Sequence, residues 1–227
     1  MKITGRTRIT GLYGYPVEHT LSPSMHNAAF EHLGLDYCYL PFSVHPDFLK
    51  NAAEAIRALN LAGVNVTIPH KESVIPYLDK VNEEALFIGA VNTIVNQEGT
   101  LIGHNTDGRG FMRSLAENDI SPENKKILIT GAGGASRAIA YYLSQKADKL
   151  YLFDIDKIKL EKLAADLSEI RDNISILNNT AELSRFDILI NATPLGLKAA
   201  DPLPFDRLRD EQAGFSRFVR HGAQVVP

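Results

Sequence analysis

The chain has 227 residues, 44% of them hydrophobic and 22% charged, and its 24 basic against 27 acidic side chains leave a formal charge of −3. That balance gives no long-range attraction to nucleic acid or to an anionic membrane surface, and no apolar run reaches the roughly 18 residues that a membrane-spanning helix needs. A single cysteine, Cys38, excludes an internal disulfide, and Met1-Lys2-Ile3-Thr4-Gly5-Arg6 lacks the pattern of a secretory leader, so a cytosolic α/β protein of one large or two small domains is expected.

Ile9 to Gly14 reads as a first strand. Ser22-Pro23 then offers an N-cap with proline at the first helical position. Met25, Ala28, Ala29 and Leu33 share one face of the helix that follows, and Gly34 suits its end. Tyr37 to Phe42 is the next strand, with Cys38 as a core residue. Phe48, Leu49, Ala52, Ala53, Ile56 and Leu59 stripe a second helix. Val64 to Ile68 is a short buried strand stopped by Pro69. Val91 to Val95 and Thr100 to His104 form a hairpin across Asn96-Gln97-Glu98-Gly99.

A second unit begins near Asn105, with the boundary at about residue 107: residues 1–107 form one domain and 108–227 another. Phe111, Leu115 and Met112 mark the apolar face of a linking helix. Lys126 to Thr130, Leu150 to Phe153, Ile174 to Leu177 and Asp187 to Ile190 read as four strands. Ile139, Ala140 and Leu143 stripe one intervening helix, and Leu160, Leu163 and Leu167 another. Strands alternating with helices predict a parallel, doubly wound sheet.

The first of these strands runs into Gly131-Ala132-Gly133-Gly134-Ala135-Ser136, and the next ends in Asp154. Strand, glycine loop, helix and a following acid form the context in which a glycine loop binds a dinucleotide. Gly131 permits the tight turn and Gly133 lets the backbone approach a pyrophosphate seated on the helix N-terminus. Ser136 is small enough to replace the third glycine. Asp154 can accept both ribose hydroxyls and repels a 2′-phosphate, and Ile155 stands where an NADP site favours arginine. The expected cofactor is therefore NAD, with NADP disfavoured.

In the first unit, Asn65-Val66-Thr67-Ile68-Pro69-His70-Lys71 sets polar residues just outside the carboxyl end of a strand, where open α/β sheets bind ligands. Lys71 is expected in the first turn of a helix, whose partial positive charge disfavours a second cation. A solvated surface lysine is the ordinary alternative. Asp107 has one too, as a helix cap, and so do Thr20, Ser22 and Ser24, as helix-start hydroxyls. The seven histidines show no metal-ligand spacing on one helix face, so no metal site is expected; His70 is read as structural.

The order of these segments resembles the shikimate dehydrogenase family over about residues 9 to 204. The matching pieces are Thr20-Leu21-Ser22-Pro23, Asn65 to Lys71, Gly89-Ala90-Val91-Asn92-Thr93, Asn105-Thr106-Asp107-Gly108, Gly131 to Arg137, and Asn191-Ala192-Thr193-Pro194-Leu195-Gly196. The resemblance implies an N-terminal substrate domain, a Rossmann-like NAD(P)-binding domain, and reversible reduction of 3-dehydroshikimate to shikimate, a step toward the aromatic amino acids. It implies that Thr20 and Ser22 hold the substrate carboxylate, Thr20 standing where the family usually has serine. Thr67, Asn92 and Asp107 would bind ring hydroxyls, and Lys71 would be the acid/base with Asp107 beside it. Gly131, Ala132, Gly133, Gly134, Ala135 and Asp154 would hold the cofactor. Thr193, Pro194 and Leu195 would border its nicotinamide end.

After Pro204 the likeness fades. The family's fifth Rossmann strand, glycine turn and return helices are not recognisable in residues 205–227, and no convincing strand precedes Gln224 to Val226. The expected consequences are an incomplete substrate pocket, weak turnover and a tendency to pair into a homodimer. Two further readings stand beside the first: a quinate/shikimate dehydrogenase of quinate breakdown, and a catalytically silent binding protein that keeps the cofactor or substrate site.

Overall fold

The computed structural model describes residues 2–179, 183–193, 195, 217–220 and 225–226. The chain divides into two compact units, Met1–Thr106 and Asp107–Pro227.

The first unit contains strands β1 (Arg8–Gly14), β2 (Tyr37–Ser43), β3 (Gly63–Val66), β4 (Lys80–Val81), β5 (Thr93–Gln97) and β6 (Thr100–His104), with helices α1 (Ser22–His32), α2 (Leu49–Ala58) and α3 (Glu83–Ile88). The strands form one sheet in the order β2-β1-β3-β5-β6-β4. Strand β1 runs parallel to β2 and β3, whereas β5 is antiparallel to both β3 and β6. Tyr13, Val64, Val66, Ile94 and Leu101 pack with Leu49 and Ile56 of α2 into the core. Glu98 and Gly99 both take positive φ, 53° and 90°, as a tight two-residue hairpin turn requires.

Several expectations need correction here. Ser22 is the first residue of α1 and not its cap: Leu21 occupies that position and makes no side-chain cap bond. The apolar face of α1 is turned outward, with Met25 and Leu33 62% and 65% exposed. Its half-buried residues are Ser22, Pro23, His26, Asn27 and Phe30. The reason is specific contact: His26 stacks on Tyr39 with ring centroids 4.3 Å apart, and Asn27 bonds both the Tyr39 amide and its carbonyl. Phe48 and Leu59 flank α2 in solvent, and β3 stops at Val66, leaving Ile68 exposed. Lys71 opens a series of turns that ends in a short 3-10 segment, Ile75–Tyr77, so the helix expected at that lysine is absent. Strand β4 and helix α3 were not anticipated; both are too short to show a period, although Asn82 caps α3 and Gly89 ends it in the left-handed region.

The second unit contains α4 (Asp107–Glu117), β7 (Lys126–Thr130), α5 (Gly134–Leu143), β8 (Lys149–Phe153), α6 (Lys157–Ser168), β9 (Ile174–Ile176), β10 (Ile188–Asn191), β11 (Arg217–Arg220) and β12 (Val225–Val226). The sheet order is β12-β11-β10-β7-β8-β9. All neighbours are parallel except β11 and β12. Near-continuous apolar runs such as Ile127-Leu128-Ile129 are wholly buried, as strands covered on both faces must be. A fifth parallel strand, β11, lies beside β10 within the region where sequence showed none. Four residues reading Arg-Phe-Val-Arg give too little pattern to register as a strand.

Helix α4 packs on α5 through Gly108, where a β-carbon would collide with the Ala138 carbonyl and the Tyr142 ring. Gly108→Ala should therefore cost about 1–3 kcal/mol of stability through overpacking, read as a lower urea midpoint. An unchanged midpoint would show that α4 shifts freely.

Candidate active site

In the first unit, β1 and β3 end, and β5 begins, at the same edge of the sheet, because β1 and β3 are parallel and β5 opposes them. Thr20 and Ser22 follow β1, Thr67 and Lys71 follow β3, and Asn92 immediately precedes β5. Five of the residues singled out from sequence thus flank one end of one sheet. The Thr20 hydroxyl accepts from the Ser22 amide at 3.2 Å. The Thr67 amide donates to the Tyr13 carbonyl at 2.9 Å, and a β-carbon on Gly14 would strike the Thr67 methyl, so bare glycine lets these two loops close together. The Lys71 carbonyl accepts from the Val91 amide at 2.8 Å. Next to it His70, 1% exposed, is pinned by a 2.7 Å bond between Nε2 and the Val44 carbonyl. That is the structural role expected of this histidine.

Asn92 is buried, and its Oδ1 accepts from the Thr106 amide at 3.0 Å and from the Thr93 hydroxyl at 2.9 Å. Tyr39, which sequence treated only as a strand residue, lies buried between α1 and the sheet, and burial pushes its phenol pKa up to about 12. Its hydroxyl donates to Asn65 Oδ1 at 2.8 Å. Residues 39 and 65 have no local sequence relation that could have announced this contact. Asp107 opens the second unit as the first residue of α4.

In the second unit the strand order reverses about β7, with β8 on one side and β10 on the other, which is the switch point where such sheets leave a crevice. Gly131 takes φ 104°, and a β-carbon there would lie 2.8 Å from the Ala192 carbonyl oxygen. The loops after β7 and β10 are therefore in close contact. A β-carbon on Gly133, by contrast, would meet nothing within 4 Å. Gly133 also caps α5 without any side-chain bond, so the first amides of α5, at Gly134 and Ala135, border open space. That cradle fits the pyrophosphate of a dinucleotide. The Asp154 carboxylate accepts from the Ala132 amide at 2.6 Å and the Asp156 amide at 2.8 Å, fixing the acid against the loop while each oxygen keeps a lone pair for a ribose hydroxyl. Ile155 beside it is 89% exposed.

After β10, Asn191 shapes the loop: its Oδ1 accepts from the Thr193 amide at 2.9 Å, and its Nδ2 donates to the Leu195 carbonyl at 2.8 Å. Thr193 lies against the glycine loop, its methyl 3.3 Å from where a β-carbon on Gly131 would stand; Leu195 is tied to Asn191, and Pro194 lies outside the described residues.

Known proteins resemble the chain over most of its length. Residues 12–94 match the shikimate dehydrogenase substrate binding domain. The shikimate dehydrogenase (NADP(+)) of Desulforamulus reducens is 47% identical over 204 residues, which cover 86% of this chain and 70% of that protein. Among solved structures, the shikimate dehydrogenase from Aquifex aeolicus superposes with a TM-score of 0.84 at 40% identity, covering 90% of this chain and 76% of the other. Shikimate 5-dehydrogenase from Listeria monocytogenes, in complex with shikimate and NAD, gives 0.82 at 39% identity, covering 91% and 73%. The glycine-loop unit, the polar strand ends and these matches lead to one conclusion: the chain belongs to the shikimate dehydrogenase family.

Proposed function

We propose that this chain catalyses the reversible reduction of 3-dehydroshikimate to shikimate with a nicotinamide cofactor. The observation that carries this reading is the gathering of Thr20, Ser22, Thr67, Lys71 and Asn92 at one end of the first sheet. The relatives' names favour shikimate over quinate as the substrate. Thr20 and Ser22 donate hydroxyl hydrogens to the substrate carboxylate, and Thr67, Asn92 and Asp107 bind its ring hydroxyls. A bound nicotinamide supplies or takes the hydride at the carbinol carbon. Lys71 does the remaining chemistry: charge builds on the carbinol oxygen as the hydride moves, and an ammonium beside it both stabilises that oxygen and provides its proton.

Within this reading NAD is the preferred cofactor, although relatives carry NADP(+) in their names. The support is local: two acids, Asp154 and Asp156, flank the exposed Ile155 at the end of β8. The Asp156 carboxyl is held below the usual carboxylate range, chiefly by the Lys159 amide it accepts from as the cap of α6. A near-neutral overall charge supports a small-molecule substrate, without nucleic acid or membrane partners, and a cytosolic location is part of the same reading. Absorbance at 340 nm with shikimate and quinate, each with NAD and NADP, tests the substrate and the cofactor. Turnover of quinate alone, or of neither substrate, would sink it.

Outward-facing Leu21, Met25 and Leu33 on and beside α1 favour self-association into a homodimer. Light scattering decides: a monodisperse monomer of 25.0 kDa would contradict that expectation.

A further inference from the structure

Helix α1 is held to its sheet without a hydrophobic anchor, since none of its residues is fully buried. Three contacts with β2 stand in for one. His26 stacks on Tyr39 within 13° of parallel, the Phe30 and Tyr37 rings lie 5.3 Å apart, and Asn27 bridges the Tyr39 backbone. The helix begins at Ser22, whose amide donates to the Thr20 hydroxyl at 3.2 Å. Both residues proposed above as carboxylate ligands therefore move with the start of this helix.

The Asn27 bridge closes one edge of the sheet. Strand β2 is the end of the strand order. On either side of it the Asp36 carbonyl accepts from the Arg8 amide and the Val44 amide donates to the Gly14 carbonyl. Even-numbered positions along β2 thus turn their peptide groups toward β1, and Tyr39 turns its own away. Tyr39 is 2% exposed, so its amide and carbonyl need a protein partner. Asn27 supplies both: Oδ1 accepts from the amide at 2.8 Å, and Nδ2 donates to the carbonyl at 3.0 Å. A backbone amide only donates and a carbonyl only accepts, so these two partners fix which way the Asn27 side chain points.

We propose that Asn27 is a positioning residue: by tying α1 to the edge of β2, it sets the place of the Thr20 and Ser22 hydroxyls and with it the affinity for the substrate carboxylate. This rests on the carboxylate role proposed above for Thr20 and Ser22. Ser22 lies five residues before Asn27, about 7.5 Å along the helix axis. A tilt of about 8° at Asn27 would carry the Ser22 hydroxyl by about 1 Å, enough to take it out of hydrogen-bond range of a fixed partner. Loss of the bridge favours such a tilt, because water reaches the bare Tyr39 peptide groups only if the helix lifts. No buried hydrophobe on α1 opposes that movement.

The test is calorimetric titration of the 227-residue protein with shikimate, and separately with NAD, which reports on the second unit. Asn27→Leu keeps the shape and the charge and removes both bonds. It should weaken shikimate binding by about 5–10-fold and leave NAD affinity unchanged. His26→Ala removes the stack and keeps the bridge; it should weaken shikimate binding by about 2–3-fold and serves as the second variant if Asn27→Leu does not fold. In a Ser22→Ala background the loss from Asn27→Leu should shrink to about twofold, because one of the two hydroxyls it places is gone. Unchanged shikimate affinity in the folded variants would overturn the proposal. So would a loss that persists in full without Ser22, or that extends equally to NAD, since either is the signature of general loosening. Wild-type protein that binds no shikimate would remove the substrate reading itself; the wild-type titration separates that failure from the others.

Discussion

Lys71→Ala should lower kcat by about 10²–10⁴-fold, the range over which a positioned acid/base contributes, while cofactor affinity and the unfolding midpoint stay close to wild type. The local structure explains why the loss falls on chemistry and not on folding. The peptide of Lys71 is anchored by the Val91 amide, and the neighbouring His70 ring is tied to the Val44 carbonyl. Neither contact involves the lysine side chain, which is only half-buried. Removing it therefore leaves the backbone path intact and deletes one ammonium. The measurement is single-turnover hydride transfer followed at 340 nm, which stays informative if wild-type turnover is slow. Partial recovery with added primary amines would identify the missing group as a proton donor and acceptor. A variant as fast as wild type would remove Lys71 from the mechanism.

Asp154→Asn combined with Ile155→Arg should shift cofactor preference toward NADP by about 10²-fold in the ratio of affinities. A doubly charged phosphate about 5 Å from a carboxylate is opposed by roughly 2–3 kcal/mol at an effective dielectric of about 50, and each 1.36 kcal/mol is about a factor of ten. The position of Asp154 makes the repulsion hard to avoid, because both carboxylate oxygens are engaged by backbone amides and the side chain cannot swing away. Ile155, being exposed, gives an arginine room at that point. An asparagine has only one oxygen, so the Ala132 amide or the Asp156 amide loses its acceptor, and some loosening of the glycine loop is expected as well. Calorimetric titration with NAD and NADP checks the shift. Wild-type protein that binds NADP more tightly than NAD would overturn the reading.

The glycine loop was legible in sequence because its determinants are local: a buried strand, residues that need φ above zero or open space, a helix, and one acid at the next strand end. The two sheets were only partly legible. Their longer strands announced themselves, but β4 of the first unit has two residues, and β11 of the second, reading Arg-Phe-Val-Arg, shows neither alternation nor an apolar run. Helix α1 misled because counting apolar residues assumes that they face inward. Here the inward face was chosen by His26 stacking and Asn27 bridging at Tyr39, which leaves the helix without a single fully buried residue. The bond from Tyr39 to Asn65 was invisible for a related reason: its partners come from different strands, and only their register brings them together.

Cys38 offers a use that its packing alone would not suggest. It is the sole thiol of the chain, lies 2% exposed, and sits on β2, the outermost strand of its sheet, which among the described residues pairs only with β1. A thiol reagent should react only when β2 detaches, so the labelling rate clocks the opening of the first unit. The second unit contributes no signal. The two halves of the protein can thus be timed separately, one by its cysteine and the other by the cofactor it holds.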